Sequence, residues 1–241
     1  MLLAIDAGNT TVKIGYHDGA DWQSKRRVSL DDFCLDPGRY LQRIVCPAIV
    51  ANVAGPRFRD ALVRELASQK IFWVQATAHA CDVVNRYQPP EQLGADRWAM
   101  LLAARALERQ ACVVVALGTA LTVDVLTADG VFLGGSIAPG MQLMRTALAQ
   151  GTHGVHTIPG AVTTYPKQTS DAVGTGIVYA LIGVIEKMIV THEQQTQSPV
   201  AVILTGGDAH LLLPHLNRTV QVVDNLVLEG LIVLARKENL L

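Results

Sequence analysis

The sequence predicts an α/β protein assembled from two duplicated halves. Three observations carry that expectation. Short apolar runs of strand length alternate with amphipathic stretches of helix length. The run Leu2–Asp6 and the run Cys112–Ala116 each end in a glycine turn and superpose at an offset of 110 residues, which brings Gly8 onto Gly118, Asn9 onto Thr119 and Asp6 onto Ala116. No flexible linker interrupts the chain near residue 110, so the halves are expected as 1–110 and 111–241, closely packed. With 50% of its 241 residues hydrophobic and 17% charged, the chain has enough apolar material for one large core or two small ones, and too much for disorder.

The elements follow in order. Leu2–Asp6 and Val12–His17 read as a β-hairpin with a wide, glycine-bearing connection, and Asp18-Gly19 turns the chain into a third strand at Trp22–Val28. Helical spacing then runs over Asp31–Arg43 and Phe58–Gln69, with buried strands at Ala48–Val53 and Ile71–Gln75. A loop carrying Tyr87 and Pro89-Pro90 leads to strong helix formers over Ala95–Arg109, which place Asp96 and Arg97 in a first helical turn. The second half restarts the scheme with strands Cys112–Ala116, Leu121–Thr127 and Val131–Gly135. Helices are expected at Gly140–Ala149 and Thr169–Val190, then a strand at Val200–Thr205, a Gly206-Gly207 turn, a short helix, a strand at Thr219–Val223 and a last helix over Leu226–Lys237.

Charge and composition exclude several roles. Twenty Lys and Arg against 21 Asp and Glu give a formal charge of −1 with no basic block, which argues against nucleic acid as a partner. The N-terminal Met-Leu-Leu-Ala-Ile-Asp has no basic region and carries a carboxylate, so it does not read as a secretory signal. The charge-free stretch Ala172–Ile185 falls short of the roughly 20 apolar residues a bilayer span requires. A soluble, cytoplasmic protein is expected. Cys34, Cys46, Cys81 and Cys112 have no Cys-x-x-Cys spacing and read as small hydrophobes of a reducing compartment. His153 and His156 lack an evident third ligand, so no zinc site is expected there.

Two hairpins with facing glycine turns could clamp a polyphosphate, because such turns present backbone N–H groups unobstructed by Cβ atoms, with Asn and Thr side chains beside them. Asp6, at the end of a buried strand, would then hold a metal ion or its waters. There is no P-loop, and Gly174-Thr-Gly176 lacks the third glycine of a dinucleotide fingerprint. Read singly, each turn is also compatible with a polar strand cap, and Asp96 with an acidic residue favoured by a helix dipole.

Five segments in order, Asp6-Ala-Gly-Asn-Thr10, Gly94-Ala-Asp-Arg97, Gly118-Thr-Ala-Leu-Thr-Val-Asp124, Gly134-Gly-Ser-Ile-Ala-Pro-Gly140 and Thr205-Gly-Gly-Asp-Ala209, together resemble the type III pantothenate kinases. That family is also named for Bvg accessory factor and belongs with the acetate and sugar kinases, Hsp70 and actin. The resemblance covers nearly the whole chain. It implies duplicated ribonuclease H-like (actin-like ATPase) domains with a nucleotide cleft between them, and transfer of the γ-phosphate of ATP, with Mg²⁺ or a similar divalent ion, to the primary hydroxyl of pantothenate on the path to coenzyme A. It also implies a homodimer with pantothenate near the subunit interface.

Carried over by residue, the resemblance makes Asp6, Ala7, Gly8, Asn9, Thr10, Thr11, Val12 and Lys13 the ATP phosphate loop, with Thr119 as a second phosphate contact. Asp6 would meet Mg²⁺ through water. Asp96 becomes the catalytic base. Tyr87, Gly94, Ala95, Asp96, Arg97 and Thr169 become the pantothenate positions, and Gly206-Gly207 the turn near the nucleoside. A carboxylate is too weak a base to strip a free alcohol, so Asp96 would orient the hydroxyl and accept its proton late. Arg97 would either steady the phosphoryl oxygens or hold the polar end of the substrate. One position departs from the family pattern: the aspartate that binds an activating K⁺ or NH₄⁺ is replaced by Ala116, which puts that ion in question, with Asp124 as a partial substitute. An ATP-binding accessory protein of the same fold with little turnover, or a sugar or acetate kinase, would share much of this pattern. Pantothenate-dependent release of ADP separates the first reading from both.

Overall fold

The structure is a computed structural model that describes residues 1–67, 69–155 and 160–241. In chain order its first elements are β1 (Leu2–Ala7), β2 (Thr11–His17), β3 (Trp22–Ser29), α1 (Leu30–Leu35), β4 (Ala48–Asn52), α2 (Pro56–Glu65), β5 (Ile71–Trp73), β6 (His79–Ala80), β7 (Val83–Asn85) and α3 (Ala95–Leu107). Then come β8 (Cys112–Leu117), β9 (Ala120–Leu126), β10 (Val131–Pro139), α4 (Met141–Gly151), α5 (Thr169–Thr196), β11 (Ala201–Thr205), α6 (Ala209–Leu212), β12 (Gln221–Val222) and α7 (Leu226–Lys237).

Two compact units result. The first comprises Met1–Arg109, Ala128–Leu133 and Asn225–Leu241; the second comprises Gln110–Thr127 and Gly134–Asp224. The division after Arg109 lies one residue from the expected boundary, but two later segments join the first unit. α7 does so because its apolar face packs on α3, β1 and β4.

The first unit is built on a five-stranded sheet of order β3-β2-β1-β4-β5. β1 runs antiparallel to β2 and parallel to β4, and β1 is buried along its whole length, as a strand covered on both faces must be. One face carries Leu3, Ile5, Val12, Ile14 and Tyr16 against Phe33, Phe58 and Leu62 from α1 and α2. α3 and α7 meet the same sheet and cross each other so closely that a Cβ on Gly230 would lie 1.8 Å from the carbonyl oxygen of Ala99. The helix expected over 31–43 is much shorter. Ser29 caps it by accepting the Asp32 N–H, and Pro37 keeps the preceding Asp36 out of the helical region, at φ −147° and ψ 82°, which ends it and leaves a single 3-10 turn at Pro37–Arg39. α2 likewise stops at Glu65, short of the expected Gln69. Within the loop expected around residues 76–94 the chain forms a small hairpin, β6–β7, whose turn residues Cys81 and Asp82 both adopt positive φ. Val131 and Phe132, at the start of β10, extend it by pairing with Val84 and Asn85.

The second unit repeats the order: β10-β9-β8-β11-β12 matches β3-β2-β1-β4-β5 strand for strand. β8–β9 is antiparallel, and β8–β11 and β11–β12 are parallel, so the pairing senses match as well. One sheet face, with Val113, Val115, Val123, Val202 and Leu204, packs on Ile177, Leu181, Ile185 and Ile189 of α5. α5 is longer than the expected 169–190, and at 28 residues it is long and apolar enough to cross a membrane by length and composition alone. Its buried stripe is instead spent on the sheet of this unit. Cys46 and Cys112 are buried, Cys34 and Cys81 are half-buried, and all four are free thiols. His156, one of the two histidines weighed as zinc ligands, lies outside the described residues.

Candidate active site

Asp6 is the penultimate residue of β1, and it projects from the sheet face opposite the Leu3–Ile5–Ala7 core because side chains alternate along a strand. Directly across the ladder stands Lys13, whose Nζ lies 3.1 Å from Asp6 Oδ2. Between them Gly8, Asn9 and Thr10 form the connection, closed by the Gly8 N–H donating to the Thr11 carbonyl at 3.0 Å. Asn9 and Thr10 are exposed at its tip, whereas Ala7 and Val12 are wholly buried and offer only their backbones to anything bound there. Burial raises the Asp6 carboxyl above the ordinary aspartate range; the Lys13 ammonium opposes this, and the charge of Asp96 adds to it.

Asp96 lies in the same unit, near enough for its charge to raise the Asp6 carboxyl. It occupies the first turn of α3, where its Oδ1 accepts the N–H of Arg97 at 2.8 Å. Gly94 is the N-cap, and a Cβ there would stand 2.6 Å from Asp96 Oδ1, so only glycine leaves that carboxylate its place. Arg97 is 4% exposed. Its Nη1 donates to the Tyr87 hydroxyl at 2.9 Å, and its guanidinium lies 5.4 Å from the Tyr87 ring and 5.9 Å from the Phe132 ring. The two rings are themselves 5.4 Å apart. The predicted Asp6, Lys13, Tyr87, Gly94, Ala95, Asp96 and Arg97 thus sit in one unit, with Asp6, Lys13 and Asp96 sharing one electrostatic environment.

The second unit carries the other predicted positions. The Gly118-Thr119 turn is one residue shorter than its counterpart and is closed by the Gly118 N–H donating to the Ala120 carbonyl at 3.0 Å. Two further glycines crowd it. A Cβ on Gly140 would lie 2.2 Å from the Gly118 oxygen, and one on Gly206 would lie 2.0 Å from the Leu117 oxygen. Thr119 is exposed at the turn, and Thr169 is exposed as the first residue of α5. Ala116 stands in one row with Thr122 on β9 and Thr205 on β11. The Thr122 hydroxyl is buried there without a hydrogen-bond partner among the described residues. Asp124, fully buried, lies two rows further along, opposite Val114. No group of three His, Cys, Asp or Glu side chains suited to a metal ion occurs among the described residues. A divalent ion at Asp6 would therefore take its remaining oxygens from water and a bound polyphosphate, which is how Mg²⁺ usually binds.

Sequence reasoning missed Asn85 and Phe132. The Asn-x-Tyr spacing of Asn85 and Tyr87 is the sequence trace of an Asx turn, but Phe132 carried no signal because its partners come from distant segments.

Comparison with known proteins agrees with this geometry. The family model for type III pantothenate kinase matches residues 2–191. A type III pantothenate kinase from Nitrosospira multiformis is 42% identical over 245 residues, covering 98% of this chain and 92% of that protein. Among solved structures, a chain from Campylobacter jejuni described as a Baf family transcriptional activator has a TM-score of 0.69 at 19% identity, covering 99% of this chain and 100% of that one. One from Sinorhizobium meliloti described as a 2-dehydro-3-deoxygalactonokinase has a TM-score of 0.65 at 17% identity, covering 99% of each. These structural likenesses establish the fold as the duplicated actin-like α/β class. With a full-length relative at this identity and a family model spanning most of its residues, the chain belongs to the type III pantothenate kinases.

Proposed function

We propose that the chain performs its family's reaction, ATP-dependent phosphorylation of pantothenate to 4'-phosphopantothenate, the first step of coenzyme A biosynthesis, with Asp96 as the base. The observation that carries the residue assignment is the placement of Asp96 in the first turn of α3, in the unit that holds the phosphate loop, with Gly94 clearing room for its carboxylate. Phosphoryl transfer is chiefly alignment and charge stabilisation. The 6–13 loop presents N–H groups and the Asn9 and Thr10 side chains to the phosphates, and Thr119 offers a hydroxyl from the second glycine turn. Lys13 neutralises Asp6 and the phosphates together. Mg²⁺, held by Asp6 through water, would offset the charge on the β- and γ-oxygens. Asp96 orients the pantothenate hydroxyl and accepts its proton as the bond to phosphorus forms. Tyr87 and Arg97, joined by a hydrogen bond, belong to the pantothenate side with Gly94, Ala95 and Thr169.

The monovalent cation of the family is read as lost or weakened here. A methyl group at 116 cannot coordinate an ion, and Asp124 sits two rows away from that position. We further read the protein as a cytoplasmic homodimer. The dimer is supported by Ile137, Leu143, Leu148, Tyr179 and Val190, all exposed in the second unit.

The test is ADP release with and without pantothenate, in the wild type and in Asp96→Asn. The amide nearly matches the carboxylate in shape but cannot accept a proton, so pantothenate-dependent turnover should fall about 10²- to 10⁴-fold while ATP still binds. Turnover within threefold of the wild type would remove Asp96 from the role of base. ADP release indifferent to pantothenate in the wild type would favour an ATP-binding accessory protein.

A further inference from the structure

We infer that Asn85 is a positioning residue for the reaction: its side chain closes the 85–90 loop and so fixes where Tyr87, and through it Arg97, presents its polar atoms. The inference rests on the reading of Tyr87 as a pantothenate contact. Asn85 ends β7 and is 6% exposed. Its Oδ1 accepts the N–H of Tyr87 at 3.0 Å, and its Nδ2 donates to the Pro90 carbonyl at 3.1 Å. One amide thus ties together two points of a loop that has no strand or α-helix of its own. Its backbone is equally constrained: the Asn85 N–H donates to the Ala78 carbonyl at 2.9 Å, and Asn85 is the ladder partner of Phe132.

That last pairing matters because Phe132 is fully buried and its ring supports the Tyr87 ring from one side. The phenol oxygen is then met by Arg97 Nη1. The tyrosine is therefore held at three points: its N–H by Asn85, its ring by Phe132 and its hydroxyl by Arg97. Only asparagine, with a donor and an acceptor on one short side chain, satisfies both loop groups from this position. Aspartate keeps the acceptor but sets an oxygen against the Pro90 carbonyl, and alanine leaves both groups unmade. Nothing places Asn85 near the phosphate loop, so its effect should fall on one substrate alone.

The experiment compares steady-state kinetics for both substrates in Asn85→Ala, Asn85→Asp, Tyr87→Phe and the double variant Asn85→Ala/Tyr87→Phe. In Asn85→Ala, kcat/KM for pantothenate should fall by about tenfold or more, since small misplacements of reacting groups are costly, while KM for ATP stays within about twofold. Asn85→Asp should fall between it and the wild type, and being nearly isosteric it keeps the test valid should the alanine variant fold poorly. Adding Asn85→Ala to Tyr87→Phe should cost less than it does alone, because both act through the same hydroxyl. Losses that simply add, or equal increases in KM for ATP and pantothenate, would overturn the role of Asn85. A Tyr87→Phe enzyme with wild-type KM for pantothenate would instead overturn the reading of Tyr87 itself.

Discussion

At position 94 the absence of one carbon decides where a carboxylate sits. The Gly94→Ala variant puts a Cβ 2.6 Å from Asp96 Oδ1, a separation that real Cβ atoms do not sustain, so the carboxylate must turn away. We expect kcat to drop by at least about tenfold, since misplacement near 1 Å can cost ~10²-fold. Thermal stability should change little, because the displaced group is only half-buried. Kinetics paired with a melting curve check both. Position 116 makes the complementary case. Potassium binding needs hard oxygen ligands, and the methyl group beside the unpartnered Thr122 hydroxyl supplies none. Raising potassium from zero to about 0.1 M at constant ionic strength should leave turnover nearly flat, whereas Ala116→Asp should create a dependence. Activation of roughly tenfold or more in the wild type would show that Thr122 and Asp124 form a working site. Asp6, Asp96 and Ala116 were legible because glycine turns and short motifs mark them locally. Asn85 was not, because its work is defined by the loop it closes.

Most strands and helices matched expectation to within a residue or two, among them β1, β2, β3, β4, β8, β9, β11, α3, α4 and α7. The failures have local causes. α1 is cut short by the restriction that Pro37 places on Asp36, which outweighs the apolar spacing that continues beyond it. The β6–β7 hairpin escaped notice because its turn is Cys81-Asp82, with φ of 48° and 61°, where the sequence signal for such a turn would be Asn-Gly or Asp-Gly. β10 continues to Pro139, whereas the expected strand stops at Gly135 because the residues after it, Ser136 to Pro139, carry no apolar alternation to mark them as strand. The closest helix contact, Gly230 against Ala99, gives a test at this scale. Gly230→Ala drives a methyl into a carbonyl oxygen 1.8 Å away, so α7 must shift off α3. Overpacking of this kind costs about 1–3 kcal/mol. At roughly 2–4 °C per kcal/mol for a chain of this size, calorimetry should show a melting temperature lower by about 2–12 °C. An unchanged value would mean that the helices slide past each other freely.

Over the whole molecule, the repeated strand order explains why the duplication could be read from sequence at all. Two sheets of the same topology keep their glycine turns and strand ends in equivalent places even where the side chains have diverged, as Asp6 and Ala116 have. It also explains what could not be read: which sheet the last helix would join, since a periodic apolar face names no partner. The exposed apolar side chains of the second unit lead to an expectation of about 52 kDa in solution, twice the 25.9 kDa chain, in light scattering. A fully active monomer at micromolar concentration would refute it. The return of α7 to the first unit has a consequence for how the chain matures during synthesis. A ribosome releases Met1–Arg109 long before Asn225–Leu241, so the sheet that carries Asp6 emerges early but lacks the helix that covers β1 and β4. The intervening second unit can close around its own strands first, and the earliest segment translated is among the last to become fully buried.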